Sequence, residues 1–256
     1  NDRPFIENLI DRAKSANCSA LVITLDLQIL GQRHKDIKNQ MTAPPKLTIK
    51  NMLNMATKPY WCLGMLQTKR HGFSNIIGHA TGVENLTSLS DWSAKTLMRT
   101  LNWDDLDWIM KRWGGKVILK GIQDVEDAKM AVKTGAHAII VSNHGGRQLD
   151  GALSSIRSLP SIIDAVGDQI EVWMDGGIRS GQDVAKAVSL GAKGVMIGRP
   201  FIYGLGAMGQ KGVSKALDII HKELDTTMAL CGERDITNMT RDNLLIPKDF
   251  RGDWEK

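Results

Sequence analysis

Apolar positions fall into two regimes along this chain. In residues 4–16, Phe5, Ile6, Leu9, Ile10 and Ala13 recur at the helical period and Cys18-Ser19 ends the run, which predicts a helix. Residues 20–25 (Ala-Leu-Val-Ile-Thr-Leu) form one apolar run closed by Asp26, the pattern of a strand buried on both faces of a parallel sheet. From Gln28 to about Thr100 the pattern is irregular, with helix candidates only at 47–56 and 88–98. Beyond Thr100 it alternates regularly. Helices are predicted at 102–112 (Asn102 as N-cap, Asp104 and Asp105 in the first turn), 125–134 (Asp124 before, Gly135 after), 154–166 (kinked at Pro160), 181–190 and 213–230. Strands are predicted at 116–120, 137–141, 170–174 and 194–197. Val213, Ala216, Leu217, Ile220 and Leu224 share one face of the last helix, and a polar tail from Gly232 is expected to pack back through Leu244, Leu245 and Ile246.

This β-α-β-α repetition with short connections predicts a parallel α/β sheet of five strands. The length of 256 residues equals that of a whole (β/α)8 barrel, roughly 250. Five strands are too few for one, because the stretch from Asp26 to Thr100 adds none.

Composition narrows the class. Hydrophobic residues make up 42% and charged residues 24%, which excludes collagen-like and disordered chains. Apolar runs such as 21–25 and 138–141 fall far short of the ~20 residues of a spanning helix. No secretory signal is expected from Asn1-Asp2-Arg3-Pro4. Three scattered cysteines give neither a disulfide framework nor a zinc site and point to a reducing compartment, with Cys18 and Cys231 expected as packing thiols. The net charge of +5 is concentrated. No acidic residue lies between Asp36 and Glu84, a window holding Lys38, Lys46, Lys50, Lys58, Lys69, Arg70, His71 and His79. Such a window suits an anionic surface, membrane or nucleic acid. Leu47, Ile49, Met52, Leu53, Met55, Trp61, Leu63 and Met65 interleave with these lysines, as in an interfacial segment or a lid with a solvated basic face. Only 5% of residues are aromatic and no nucleic-acid module is present, which sets nucleic acid aside.

The chemistry collects where strands end. Those ends read Thr24-Leu25-Asp26, Leu119-Lys120-Gly121, Val141-Ser142-Asn143-His144-Gly145-Gly146-Arg147, Met174-Asp175-Gly176-Gly177-Ile178-Arg179 and Ile197-Gly198-Arg199-Pro200. Parallel α/β folds place their sites at this rim. Gly176, Gly177 and Gly198 let backbone N–H groups approach an anion, and Arg179 and Arg199 add charge, so the last two ends form a phosphate-site candidate. His144, just past a buried strand and before a glycine pair, is the candidate base, with Asp26 as its carboxylate partner. Arg147 and Arg33 are candidates to clamp a substrate carboxylate. Gly204-Leu-Gly-Ala-Met-Gly209 fits G-x-G-x-x-G but follows no strand directly and precedes a long helix, so it is not read as a dinucleotide site.

These strand ends resemble the FMN-dependent α-hydroxy acid dehydrogenase family. The run from Ser142 to Asp150 (Ser-Asn-His-Gly-Gly-Arg-Gln-Leu-Asp) is similar to its active-site signature. Asp175-Gly-Gly-Ile-Arg179 and Ile197-Gly-Arg-Pro200 are similar to its FMN phosphate segments, and Leu30-Gly-Gln-Arg33 through Asn39 to its substrate-arginine loop. Gly31–Asn39, Leu101-Asn-Trp103 and Leu224–Gly232 most resemble its bacterial respiratory, lactate-oxidising branch. The resemblance implies a (β/α)8 TIM barrel of the FMN-linked type, here partial, about strands 4–8, with a long insertion after strand 4. It implies one catalytic domain over 1–256, with 40–100 as a candidate membrane-binding insertion. The implied activity is oxidation of L-lactate or another 2-hydroxy acid to the 2-oxo acid, with FMN as cofactor. Electrons would pass to a quinone or other respiratory acceptor. The protein would be homo-oligomeric and peripheral to the cytoplasmic face of the bacterial inner membrane.

By position, the resemblance implies His144 as base, Asp26 as its partner, and Arg33 and Arg147 as substrate ligands. Lys120 would stand at the flavin N1–C2=O edge, Thr24 and Ser142 would bond the ring or its chain, and Asp175 the ribityl hydroxyls. Gly176, Gly177, Arg179, Gly198 and Arg199 would surround the phosphate. No metal is implied. Alternatives are an oxygen-using oxidase, a mandelate dehydrogenase, or an inactive fragment. The family's first three βα units and substrate tyrosine have no counterpart here, and Tyr60 and Tyr203 fall in no matching motif. The chain is accordingly expected neither to close a barrel nor to hold FMN tightly.

Overall fold

The structure is a computed structural model that describes residues 2–29, 31–40, 48–69, 72–80, 82–83, 88, 92 and 101–250. Helix α1 (Arg3–Ser15) starts where the Asp2 carboxylate accepts the Phe5 N–H at 3.1 Å, and it buries Phe5 and Ile10. Strand β1 (Ala20–Thr24) follows, then, among the described residues of the irregular region, the helices α2 (His34–Lys38), α3 (Ile49–Ala56) and α4 (Pro59–Gln67). The candidate at 47–56 is thus a helix beginning at Ile49, while α2 and α4 had no clear period. The candidate at 88–98 lies almost wholly outside the described residues.

The regular part runs α5 (Asp104–Trp113), β2 (Lys116–Ile122), α6 (Val125–Lys133), β3 (Ala138–Val141), α7 (Ser155–Val166), β4 (Glu171–Asp175), α8 (Gly181–Ser189), β5 (Gly194–Met196), α9 (Arg199–Met208) and α10 (Gln210–Leu230). Asn102 caps α5, its Oδ1 accepting the N–H groups of Asp104 and Asp105. Pro160 sits inside α7 without interrupting it.

All strand pairs are parallel and the order is β1-β2-β3-β4-β5. A sequential order with no reversal is the winding of a (β/α)8 barrel; a doubly wound sheet would turn back at a switch point. The sheet is therefore an open arc of such a barrel, with β1 and β5 at its edges. Every residue of β3 is buried, as the unbroken apolar run required. The core joins Leu119 and Ile139 of the sheet to Ala128, Ala131, Leu159 and Ile162 of the helices, all 0% exposed.

Glycines let the last helices close up. A Cβ on Gly204 would lie 2.3 Å from the Gly212 carbonyl oxygen, so α9 and α10 touch backbone to backbone. The G-x-G-x-x-G stretch is a helix–helix contact. A Cβ on Gly181 would meet the Leu224 nitrogen at 1.9 Å, and the Gly181 N–H donates to Glu223 Oε2 at 3.0 Å.

Four expectations need correcting. Strand β1 is not buried on both faces, and Val22 is 45% exposed, because the strand lies at the end of the sheet. Of the tail residues only Leu244 packs on the core; Leu245 and Ile246 are exposed, and Met239, Ile236 and Phe250 anchor the tail in their place. Leu217 is half exposed although Ile220 and Leu224 pack inward. Cys18 and Cys231 are exposed rather than packed, because each lies just past a helix end.

Two alanine substitutions separate contact from propensity. Gly181→Ala forces α8 and α10 apart and is expected to cost about 1–3 kcal/mol. Gly206→Ala, in α9 with nothing near its Cβ, is expected to add about 0.5–1 kcal/mol. Urea unfolding midpoints for the two variants should move in opposite directions.

Candidate active site

The C-terminal ends of the five strands converge as predicted. β3 ends at the fully buried Ser142, and the chain then turns through a 3-10 turn (His144–Gly146). His144 has φ +55°, an uncommon value for a residue with a side chain, and Gly145 and Gly146 continue in the left-handed region. Such backbone concentrates at functional sites. The turn is pinned by the His144 N–H donating to Ser142 Oγ at 3.0 Å.

His144 Nδ1 faces Asp26 Oδ1 at 3.2 Å, which leaves Nε2 as the ring nitrogen not tied to the carboxylate. Asp26 fits there because residue 121 is glycine: a Cβ at that position, where φ is +103°, would lie 2.7 Å from Asp26 Cγ. Lys120 Nζ reaches Asp175 Oδ2 at 2.6 Å and donates to Ser142 Oγ at 2.8 Å. Both charges of that pair are largely buried, so loss of either would strand the other in a poorly solvated place.

The arginines divide. Arg199 Nη2 donates to the Gly145 carbonyl at 3.2 Å, tying the β5 end to the His144 turn. Arg179 is exposed, and its backbone N–H donates to Asp183 Oδ2 at 2.9 Å in the capped start of α8. Arg147 stands 3.6 Å from Asp36 of α2. Arg33, immediately before α2, donates from Nε to the Arg147 carbonyl at 3.4 Å. Thr24 lies beside Lys120 in the sheet register. The structure thus brings together the ends of β1 to β5 and joins Arg33 to them through the loop after β1.

These groups frame a cavity of about 570 Å³ lined by Lys120, His144, Arg147, Asp175 and the segments around Gly177 and Gly198. A second cavity of about 450 Å³, reaching Ser155, Lys186 and Phe250, shares Gly145, Gly177 and Arg199 with it.

Residues 1–246 match the family described as FMN-dependent dehydrogenase. The chain belongs to the FMN-dependent dehydrogenase family. It is 44% identical over 245 residues to an L-lactate dehydrogenase of Azorhizobium caulinodans, and 42% identical over 245 residues to one of Actinobacillus pleuropneumoniae. Each match covers 95% of this chain and 64% of the relative, so the chain spans just under two-thirds of their length. Among solved structures, a monotopic membrane protein, (S)-mandelate dehydrogenase, superposes with a TM-score of 0.88 at 31% identity, over 95% of this chain and 64% of that one.

The residues of this family member fit the cofactor that the family is named for. Asp175 Oδ1 is buried and accepts no hydrogen bond among the described residues, an acceptor suited to a polyol hydroxyl. Gly176 and Gly177 both have positive φ, a Cβ on Gly177 would enter open space, and Arg179 and Arg199 flank them, a donor set suited to a phosphate. Lys120 supplies a cation in the same cavity. Sequence reasoning missed Gly121 as the space that admits Asp26 and Asp36 as the partner of Arg147. Gly121 sits in the strand-end motif, but only the fold shows what faces it.

Gly177→Ala tests the cradle. With nothing within 4 Å to strike, it is expected to cost only about 1 kcal/mol through its φ of +82°. FMN titration followed by flavin fluorescence should show binding at least about tenfold weaker, the equivalent of one lost charge-assisted contact.

Proposed function

We propose that this chain is the catalytic part of an enzyme that oxidises L-lactate to pyruvate with FMN. The observation that carries the reading is the shared cavity: His144, backed by Asp26, lines one space with the Arg147 guanidinium and the Lys120–Asp175 pair. The relatives named L-lactate dehydrogenase favour lactate over mandelate, at 42–44% against 31% identity.

Oxidising a 2-hydroxy acid removes two electrons and two protons from the C2–OH unit. FMN, when bound, supplies the two-electron acceptor. Arg147, with Arg33 beside it, holds the substrate carboxylate through paired N–H donors and so fixes C2 relative to the base. His144 takes up a substrate proton at Nε2, while Nδ1–H donates to Asp26 Oδ1. That bond sets the ring's tautomer and stabilises the imidazolium once it forms. Lys120, aligned by Ser142 and Asp175, holds positive charge in the cofactor half of the cavity, where negative charge would develop as the acceptor is reduced. When FMN is bound, Thr24 and Ser142 would border the ring, Asp175 would take the ribityl hydroxyls, and Gly176, Gly177, Arg179, Gly198 and Arg199 would hold the phosphate.

The same reading covers the segment at 40–100. Helices α3 and α4 leave Ile49, Leu53, Tyr60, Leu63 and Leu66 more than half exposed beside Lys50, Lys58 and Lys69. No helix among the described residues is long and apolar enough to cross a membrane. An apolar face rimmed by lysines instead lies in the interface of an anionic bilayer. The chain would sit peripherally on the cytoplasmic face of a bacterial inner membrane as a homo-oligomer, passing electrons to a quinone or related acceptor.

Two measurements test this. With the FMN-loaded protein held anaerobically, L-lactate should bleach flavin absorbance faster than (S)-mandelate does. His144→Gln should slow bleaching by about 10²–10⁴-fold at unchanged FMN content; equal rates in both proteins would sink the assignment. For the membrane, replacing Lys50, Lys58 and Lys69 by Glu should weaken binding to phosphatidylserine-containing vesicles by roughly a hundredfold, at about 1 kcal/mol per lysine. Sedimentation with vesicles would read this, and unchanged binding would refute the interfacial reading.

A further inference from the structure

The base pair and the carboxylate clamp are each split between two loops. Asp26 and Arg33 come from the loop after β1, and His144 and Arg147 from the loop after β3. A proton transfer and a bidentate clamp both need these loops in fixed relation, and each side-chain contact across the divide is individually loose: 3.2 Å for the dyad and 3.4 Å for Arg33 to the Arg147 carbonyl. Shorter bonds come from a residue that touches neither proton nor carboxylate.

The Gln148 amide reaches into the loop after β1. Its Nε2 donates to the Asp26 carbonyl at 3.0 Å and to the Ile29 carbonyl at 2.7 Å, and its Oε1 accepts the Gly31 N–H at 3.4 Å. Both donors and the acceptor are used, and a primary amide is the side chain that can do this without charge. The loops are also in backbone contact. A Cβ on Gly31 would lie 2.2 Å from the Arg147 carbonyl oxygen and 2.8 Å from Gln148 Cα. Gly31 thus lets the loops meet, and Gln148 ties them at the point of meeting.

We infer that Gln148 is a positioning residue: its side-chain amide sets Asp26 and Arg33 against His144 and Arg147, and so governs base and clamp together. The inference rests on the roles proposed for those four residues. It separates two halves of the site. The side chains of Lys120, Asp175, Arg179 and Arg199 bond neither Gln148 nor residues 26–33 among the contacts of the described residues, so the amide of Gln148 does not hold the cofactor half directly.

The test compares the parent protein with Gln148→Leu, of similar size but unable to hydrogen bond, and Gln148→Glu, which keeps the acceptor and presents a carboxylate to two carbonyl oxygens. In hydrogen-exchange mass spectrometry, peptides covering residues 26–33 should exchange at least about tenfold faster in both variants, while peptides covering 171–189 keep the parent rate. FMN content and unfolding temperature should stay at parent values. Oxalate, a dicarboxylate probe of the clamp, should bind more weakly to both variants. In lactate turnover kcat should fall and KM rise, with kcat/KM down by about 10- to 100-fold, the scale of a misplacement of about 1 Å.

Parent-like exchange at 26–33, or parent-like oxalate affinity and kcat, would overturn the inference. So would loss of FMN and of folding stability in step with activity, because that pattern marks a merely structural residue. If the parent fails to oxidise lactate, the functional reading falls, and the exchange and oxalate measurements still decide the role of Gln148.

Discussion

One irregularity in the sheet organises the site. β2 is in register with β1 through Lys120, opposite Thr24, but its register with β3 shifts between Lys120 and Ile122. The residue at the shift is Gly121, in a backbone conformation closed to other side chains in practice. A bulge of this kind re-aims the neighbouring side chain. Here it leaves Lys120 directed at both Ser142 Oγ and Asp175 Oδ2, across two strands. The missing Cβ also leaves the space that Asp26 fills on its way to His144. The charge network and the base pair are therefore consequences of the same glycine, seen from its two sides.

This explains which parts of the molecule could be read from the chain. The strand ends were legible because parallel strands oblige their polar residues to meet at one rim, and His144, Asp26, Lys120 and Asp175 do meet there. Element boundaries after Thr100 were legible because Asn102, Asp124 and Ser180 cap helices by bonds within three residues. Helix α9 was not legible. Its glycines argue against a helix by propensity, and the reason for Gly204 is a contact with Gly212 that exists only after the chain has folded. Gln148 was visible only as part of a motif. Its bonds span more than a hundred residues, and no local pattern encodes carbonyl groups that far away. The exposure of Leu245 and of the cysteines failed for a related reason: hydrophobicity says what a residue favours, and the turn after a helix decides whether anything is there to cover it.

Burial sorts the ion pairs of the site. Arg147 and Asp36 are 42% and 39% exposed at 3.6 Å, so solvent screens them and their pairing is worth only about 0–1 kcal/mol. In the proposed reaction a substrate carboxylate offering two oxygens to Arg147 would replace Asp36 at little cost. Lys120 and Asp175 are 14% and 17% exposed at 2.6 Å, and separating them would leave two poorly solvated charges. The pair presents the Asp175 Oδ1 oxygen on one side and the lysine's field on the other. In the proposed reaction the exposed pair then acts as the exchangeable gate to the substrate position, and the buried pair as fixed scaffolding for the cofactor. The difference follows from depth in the fold, since both pairs are built from the same kinds of charge.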